Sequence, residues 1–74
     1  MEKGVEMKLK NRLRVLRAEK EISQNDLAEE VGLSRQTINS IERGKFNPSI
    51  ITALKIADYF AVRVDEVFQL EEDE

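Results

Sequence analysis

The sequence contains no cysteine and no histidine, and it has a single proline. Disulfide bonds, thiolate metal sites and histidine acid–base chemistry are therefore excluded. No apolar run approaches the ~20 residues that span a bilayer, and the first residues lack the apolar core of a signal peptide, so we expect a cytoplasmic protein. A length of 74 residues leaves room for one domain, residues 1–74.

The charge of the chain is unevenly distributed. The formal net charge is -3, yet residues 65–74 contribute -6 and everything before them sums to +3. The acidity therefore belongs to a short terminal segment, and the net positive remainder of the chain is compatible with a basic face that contacts nucleic acid. Residues 71–74 form a run of like charges that can bury nothing, so we expect them to be disordered.

Residues 23–44 read as two short helices joined by a tight turn. Ser23 is positioned to cap the first helix, with Asp26 as the partner of a capping box, and Ser34 is positioned to cap the second. Gly32 follows the last apolar residue of the first helix, where a left-handed residue is favourable. The apolar positions of both helices have helical spacing and must face a shared core: Leu27, Ala28, Val31, Ile38 and Ile41.

The flanking segments predict further helices. Residues 12–20 have helical spacing through Leu13, Leu16 and Ala18, with cations crowding the polar side. Ser49 can cap a largely buried helix, whose apolar positions are Ile50, Ile51, Ala53, Leu54, Ile56, Ala57 and Phe60. Residues 64–69 suggest a last short helix, but residues 67–71 could equally continue as an extended segment. That segment would pair with a strand from residues 5–10, where apolar and polar residues alternate.

The two-helix unit resembles the helix-turn-helix of the phage repressor and Cro proteins and of the Xre-type prokaryotic regulators. The matched positions are Gln24, Ala28, Gly32, Leu33, Ile38 and Ile41, and the resemblance continues through residues 42–68. It implies an all-α fold, a compact five-helix bundle, with or without a short two-stranded antiparallel sheet from the termini.

In such a fold the second helix enters the major groove with its N-terminal residues facing base edges. Since Ile38 and Ile41 fix the opposite face, the expected base-reading residues are Arg35, Gln36, Asn39 and Ser40. The resemblance also implies contacts with the DNA backbone, which we assign to Gln24, Arg17, Thr37, Arg43, Lys45 and Asn47. In phage relatives a pair matching Arg17 and Glu42 links the first helix to the end of the recognition helix.

The function that these features favour is a sequence-specific regulator of transcription that binds double-stranded DNA. We expect a repressor that reads a palindromic operator as a homodimer, through an interface drawn chiefly from Phe68 and Leu70, with Ile51 or Tyr59. The alternative is an antitoxin-type protein-interaction module, for which only the ten terminal residues are available. An enzyme is disfavoured, because we find no nucleophile–base pair, metal-ligand cluster or phosphate loop, and we expect no catalytic residue, metal, cofactor or small-molecule ligand.

Overall fold

The computed structural model describes residues 7–72. Their elements, in chain order, are β1 (Met7–Asn11), α1 (Leu13–Lys20), α2 (Gln24–Val31), α3 (Arg35–Glu42), α4 (Ile50–Phe60), α5 (Val64–Val67) and β2 (Phe68–Glu72). The expected five-helix bundle is confirmed, and so is the antiparallel sheet, which pairs β1 with β2. Within residues 7–72 there is no helix of the length and apolarity needed to cross a membrane.

Three serines define where the central helices begin. Each Oγ accepts a hydrogen bond from the backbone N–H three residues later, at 3.0 Å for Ser23, 3.0 Å for Ser34 and 3.1 Å for Ser49. The Asp26 carboxylate accepts the Ser23 N–H at 3.0 Å, which completes the predicted capping box. These caps satisfy N–H groups that have no partner inside the helix, so the starts of α2, α3 and α4 are encoded locally.

Two glycines end the paired helices. Gly32 follows α2 with φ 76°, and Gly44 lies just beyond α3 with φ 74°, both in the left-handed region. The Leu33 N–H reaches back to the Ala28 carbonyl at 2.9 Å, so the chain reverses within a few residues. This turn sets α3 across α2, with the small Ala28 only 2% exposed.

The core lies between the helices and the start of β2. Its buried apolar residues are Leu13, Leu16, Leu27, Ala28, Val31, Ile38, Ile41, Ala53, Ile56, Ala57, Val67 and Phe68. Leu27 and Ile38 are completely buried, and Ile41 is 1% exposed. The shared core expected for α2 and α3 is therefore present.

The expectation that α4 is largely buried is wrong for its first half. Ile50 is 69% exposed, Ile51 is 66% exposed and Leu54 is 51% exposed. Ala53, Ile56 and Ala57 of this helix are buried, and Tyr59 and Phe60 at its end pack partly buried against the core. Apolar spacing identifies residues that share a face, but it does not show whether another element covers that face. Ala18 of α1 is likewise exposed.

The terminal sheet corrects two further expectations. Glu71 and Glu72 are not disordered, because both lie in β2, where the ladder pairs Glu71 directly opposite Lys8. Opposite charges across a strand pair are favourable, which offsets the repulsion within the acidic run. Phe68 lies in the core at 7% exposure, so it cannot serve the dimer interface proposed for it. Val5 of the expected first strand, with Asp73 and Glu74, lies outside the described residues.

Gly32→Ala should lower the free energy of unfolding by about 1 kcal/mol. No atom lies within 4 Å of the position that its Cβ would take, so the cost comes from the left-handed backbone alone. Ala61 offers the matched reverse change, because it ends α4 with φ 58°. Ala61→Gly should therefore raise stability or leave it unchanged. Urea denaturation measures both, and a Gly32→Ala variant as stable as the wild type would contradict the expectation.

Candidate nucleic-acid interface

The orientation of α3 follows from its two buried isoleucines, Ile38 and Ile41. The residues on its other sides are the predicted base-reading set, and they differ in exposure. Arg35 and Gln36, at the N-terminal end, are exposed, whereas Asn39 and Ser40 are half-buried. The structure therefore brings all four to the surface of one helix, with the two most accessible at its start.

Residues of α3 and of the loop that follows it line one cleft. A cleft of about 340 Å³ is lined by Gln36, Thr37, Ser40, Lys45 and Phe46. It joins residues assigned to base reading with Lys45, which was assigned to the DNA backbone. Thr37 is half-buried, and its hydroxyl lies 2.9 Å from the Ser34 Oγ. The other two loop residues assigned to the backbone, Arg43 and Asn47, are exposed.

The predicted link between Arg17 and Glu42 is present. Arg17 Nε donates to Glu42 Oε2 at 2.6 Å and Nη2 donates to Oε1 at 3.1 Å, a two-bonded pairing that joins α1 to the end of α3. The side chains are 15% and 1% exposed, respectively. The hydrogen bond to Glu42 raises the pKa of Arg17 above its ordinary value, with burial opposing and the charge of Glu42 adding to the rise.

Gln24 contributes a contact that sequence reasoning missed. Its Nε2 donates to Glu42 Oε1 and to Asn39 Oδ1, both at 3.1 Å. A carboxylate can only accept hydrogen bonds, so the amide nitrogen must face Glu42. Both hydrogens of the Gln24 side-chain amide are thus engaged in a polar network behind α3, so the side chain expected to contact a phosphate has no donor left for one. The only signal in the sequence was that Asn39 and Glu42 stand three residues apart, on one side of the helix.

The same network constrains Asn39. Its Oδ1 accepts from Gln24, and its Nδ2 is the opposite end of the amide, so Asn39 retains a donor for a further partner.

Arg17 Nη1 also donates to the Ile22 carbonyl at 3.1 Å, which fixes the guanidinium at the α1–α2 junction. The side of α3 that faces α1 and α2 is therefore immobilised by hydrogen bonds, while its N-terminal end remains open.

Two short capped helices joined by a left-handed glycine, with the second helix exposed at its start, define a helix-turn-helix protein. The Helix-turn-helix family model matches residues 13–67. An uncharacterized HTH-type transcriptional regulator of Methanocaldococcus jannaschii is 47% identical over 66 residues, 89% of this chain and 100% of the relative. The immunity repressor protein of Bacillus phage phi105 is 33% identical over 61 residues, 82% of this chain and 42% of that protein.

A solved structure agrees with these relatives. The restriction-modification controller protein C.AhdI from Aeromonas hydrophila has a TM-score of 0.68 and 39% identity, covering 73% of this chain and 82% of that one. The chain therefore belongs to the helix-turn-helix family of DNA-binding transcriptional regulators, and it is not an enzyme. The resemblance to Xre-type and phage repressor proteins is confirmed.

Arg17→Met should lower the free energy of unfolding by about 3 kcal/mol, because it leaves the Glu42 carboxylate buried without its guanidinium partner. The matched control is the double variant Arg17→Met with Glu42→Met, which replaces both charges with apolar side chains of similar length. It should recover most of the loss. Urea denaturation of the three proteins tests this, and a double variant less stable than the single one would contradict it.

Proposed function

We propose that this protein is a repressor that binds a palindromic DNA operator as a homodimer, with α3 in the major groove. The observation that carries the proposal is the polar, accessible N-terminal end of α3, opposite the buried Ile38 and Ile41. A helix-turn-helix presents this end of its second helix to base edges. Repression is supported by the likeness to a phage immunity repressor.

Base reading is assigned to the four surface residues of α3. Arg35 has the donor fork that pairs with guanine O6 and N7, and Gln36 has the donor and acceptor that pair with adenine. Asn39 offers its Nδ2 to a purine N7, since its Oδ1 is engaged by Gln24. Ser40 is less exposed than Arg35 and Gln36. Its hydroxyl can donate or accept a hydrogen bond, so it can contact any base edge that comes close to it.

Contacts with the DNA backbone are assigned to both sides of α3. Lys45, Arg43 and Asn47 follow the helix in an exposed loop, where cations neutralise phosphates and release counterions. On the other side, the contact assigned to Gln24 falls to its backbone N–H at the first position of α2, where the helix dipole favours an anion. Both hydrogens of its side-chain amide are engaged by Glu42 and Asn39. Because Glu42 is buried against Arg17, its negative charge is neutralised where the DNA would lie.

The dimer surface is assigned to the exposed face of α4. Ile50, Ile51 and Leu54 share this face at spacings of one and three residues, and each is more than half exposed. The loop that carries Lys45 and Asn47 leads directly into this helix, so the apolar face adjoins the surface assigned to DNA. A second copy fits such a surface, because the three apolar side chains can be buried against the same three side chains of the partner across a two-fold axis.

The size of this patch predicts a weak dimer. Burying an aliphatic side chain completely stabilises by about 1.5–3 kcal/mol, so three partly exposed side chains from each copy supply about 7 kcal/mol. Association itself costs about 4–15 kcal/mol. We therefore expect the dimer to form mainly on the operator, where the DNA holds two copies side by side.

Selection of bound duplexes from a random pool tests the proposal as a whole. The recovered sequences should contain inverted half-sites whose centres lie about 10 base pairs apart, or a multiple of that distance. A pool that returns no enriched sequence would overturn the assignment as a sequence-specific regulator. Enrichment of single, unrepeated sites would overturn the dimer.

Gln36→Ala should weaken binding to the selected duplex by about 1–3 kcal/mol and change random duplex little, because it removes a base contact. Lys45→Ala is the matched control, since loss of a phosphate contact should weaken both duplexes about equally and reduce the salt dependence. Fluorescence anisotropy with labelled duplexes measures both. Equal weakening by Gln36→Ala on the two duplexes would show that Gln36 does not read a base.

Ile51→Asp should abolish cooperative binding to a two-half-site duplex and leave binding to a single half-site unchanged. Leu70→Asp is the matched control, because Leu70 on the sheet is 67% exposed and Ile51 is 66% exposed, yet only Ile51 lies on α4. Each variant adds one negative charge. Loss of cooperativity in Leu70→Asp but not in Ile51→Asp would move the dimer surface to the sheet.

A further inference from the structure

Asn11 bonds to two different helices, which sequence reasoning did not anticipate. It ends β1, just before α1. Its Oδ1 accepts the Leu13 N–H at 3.0 Å in the first turn of α1, and its Nδ2 donates to the Ile41 carbonyl at 2.9 Å near the end of α3. Because a backbone N–H only donates and a carbonyl only accepts, the orientation of this amide is fixed by its partners.

The bond to Ile41 lies at the C-terminal end of α3, where the helix itself supplies no donors for the backbone carbonyls. The last four carbonyls of a helix have no partner within the helix. The Gly44 N–H satisfies the Ile41 carbonyl at 3.0 Å, and Asn11 is its second donor. Asn11 is half-buried, so this bond ties the end of α3 to β1 at a partly buried position.

The backbone of Asn11 is itself anchored. In the sheet Asn11 is paired opposite Phe68, and the next residue, Arg12, donates its N–H to the Val67 carbonyl at 3.0 Å. The Asn11 side chain therefore connects α3 to a fixed point formed by the sheet and α5. Arg17 holds the same end of α3 to α1 through Glu42.

We propose that Asn11 is a positioning residue for DNA reading, an inference that rests on the function proposed above. Helices rise by 1.5 Å per residue, so Arg35 lies about 9 Å along the axis from Ile41. A tilt of about 10° at the Ile41 end would move Arg35 by about 1.5 Å. Base contacts tolerate only about 0.5 Å of displacement, whereas contacts with phosphates carry no sequence information and tolerate more.

Asn11→Asp separates the two bonds of this side chain. A carboxylate keeps the acceptor for the Leu13 N–H, where the start of α1 favours a negative charge, and it lacks the donor for Ile41. We expect affinity for the selected duplex to fall about tenfold and affinity for random duplex of equal length to fall less than threefold. Lys10→Gln is the matched control, because it makes the same unit change in charge at the adjacent exposed residue.

Asn11→Ser is a second variant that tests the same bond if Asn11→Asp does not fold. Its hydroxyl can still cap α1, but it is too short to reach Ile41, and it adds no charge. The same loss of specificity is expected. In both variants, amide exchange measured by nuclear magnetic resonance on the DNA-free protein should be faster at Gly44, which shares the Ile41 carbonyl.

The outcomes separate this proposal from the function on which it rests. A wild-type protein that binds selected and random duplexes equally would overturn the proposed function, and with it any role in positioning. A specific wild type whose Asn11 variants keep the same ratio of selected to random affinity as Lys10→Gln would overturn the positioning role alone. Faster exchange at Gly44 with that unchanged ratio would show that the bond serves stability only.

Discussion

The structure depends on one buried carboxylate. Glu42 is the last residue of α3, its side chain is 1% exposed, and it accepts hydrogen bonds from Arg17 of α1 and Gln24 of α2. An ionised carboxylate removed from water is costly unless it is paired and hydrogen-bonded. The three helices must therefore keep one arrangement that satisfies it. The burial of apolar area alone imposes no such requirement, since the hydrophobic effect has no direction.

Much of the fold could be predicted from the sequence because the signals that start and end its helices are local. A serine that caps a helix and a glycine in a left-handed turn act within a few residues, so Ser23, Gly32 and Ser34 delimit α2 and α3 without reference to the rest of the chain. Ile38 and Ile41 then orient α3, and its candidate DNA-facing residues follow from that orientation. The part of the candidate site that lies on one helix was accessible for this reason.

The remainder depends on which elements meet in space. Periodicity correctly grouped the apolar residues of α4, but Ile50 and Leu54 are exposed because no element within residues 7–72 covers them. Phe68 had the pattern of either a helix or a strand, and it lies at the boundary of α5 and β2, inside the core. The contacts of Gln24 with Asn39 and of Asn11 with Ile41 join residues 15 and 30 positions apart, which no local pattern reveals.

The polar contacts behind α3 have a different physical role from the apolar ones. Ile38 and Ile41 supply burial, which fixes the face that the helix turns inward but resists small rotations and slides only weakly. Hydrogen bonds weaken steeply as their angle or distance departs from the optimum. Asn11, Arg17 and Gln24 come from three different elements, and their bonds end on α3, at Ile41, Glu42 and Asn39. Directional bonds from several sides restrict rotation and sliding together, so a helix of only eight residues can present its outer side chains in a defined geometry.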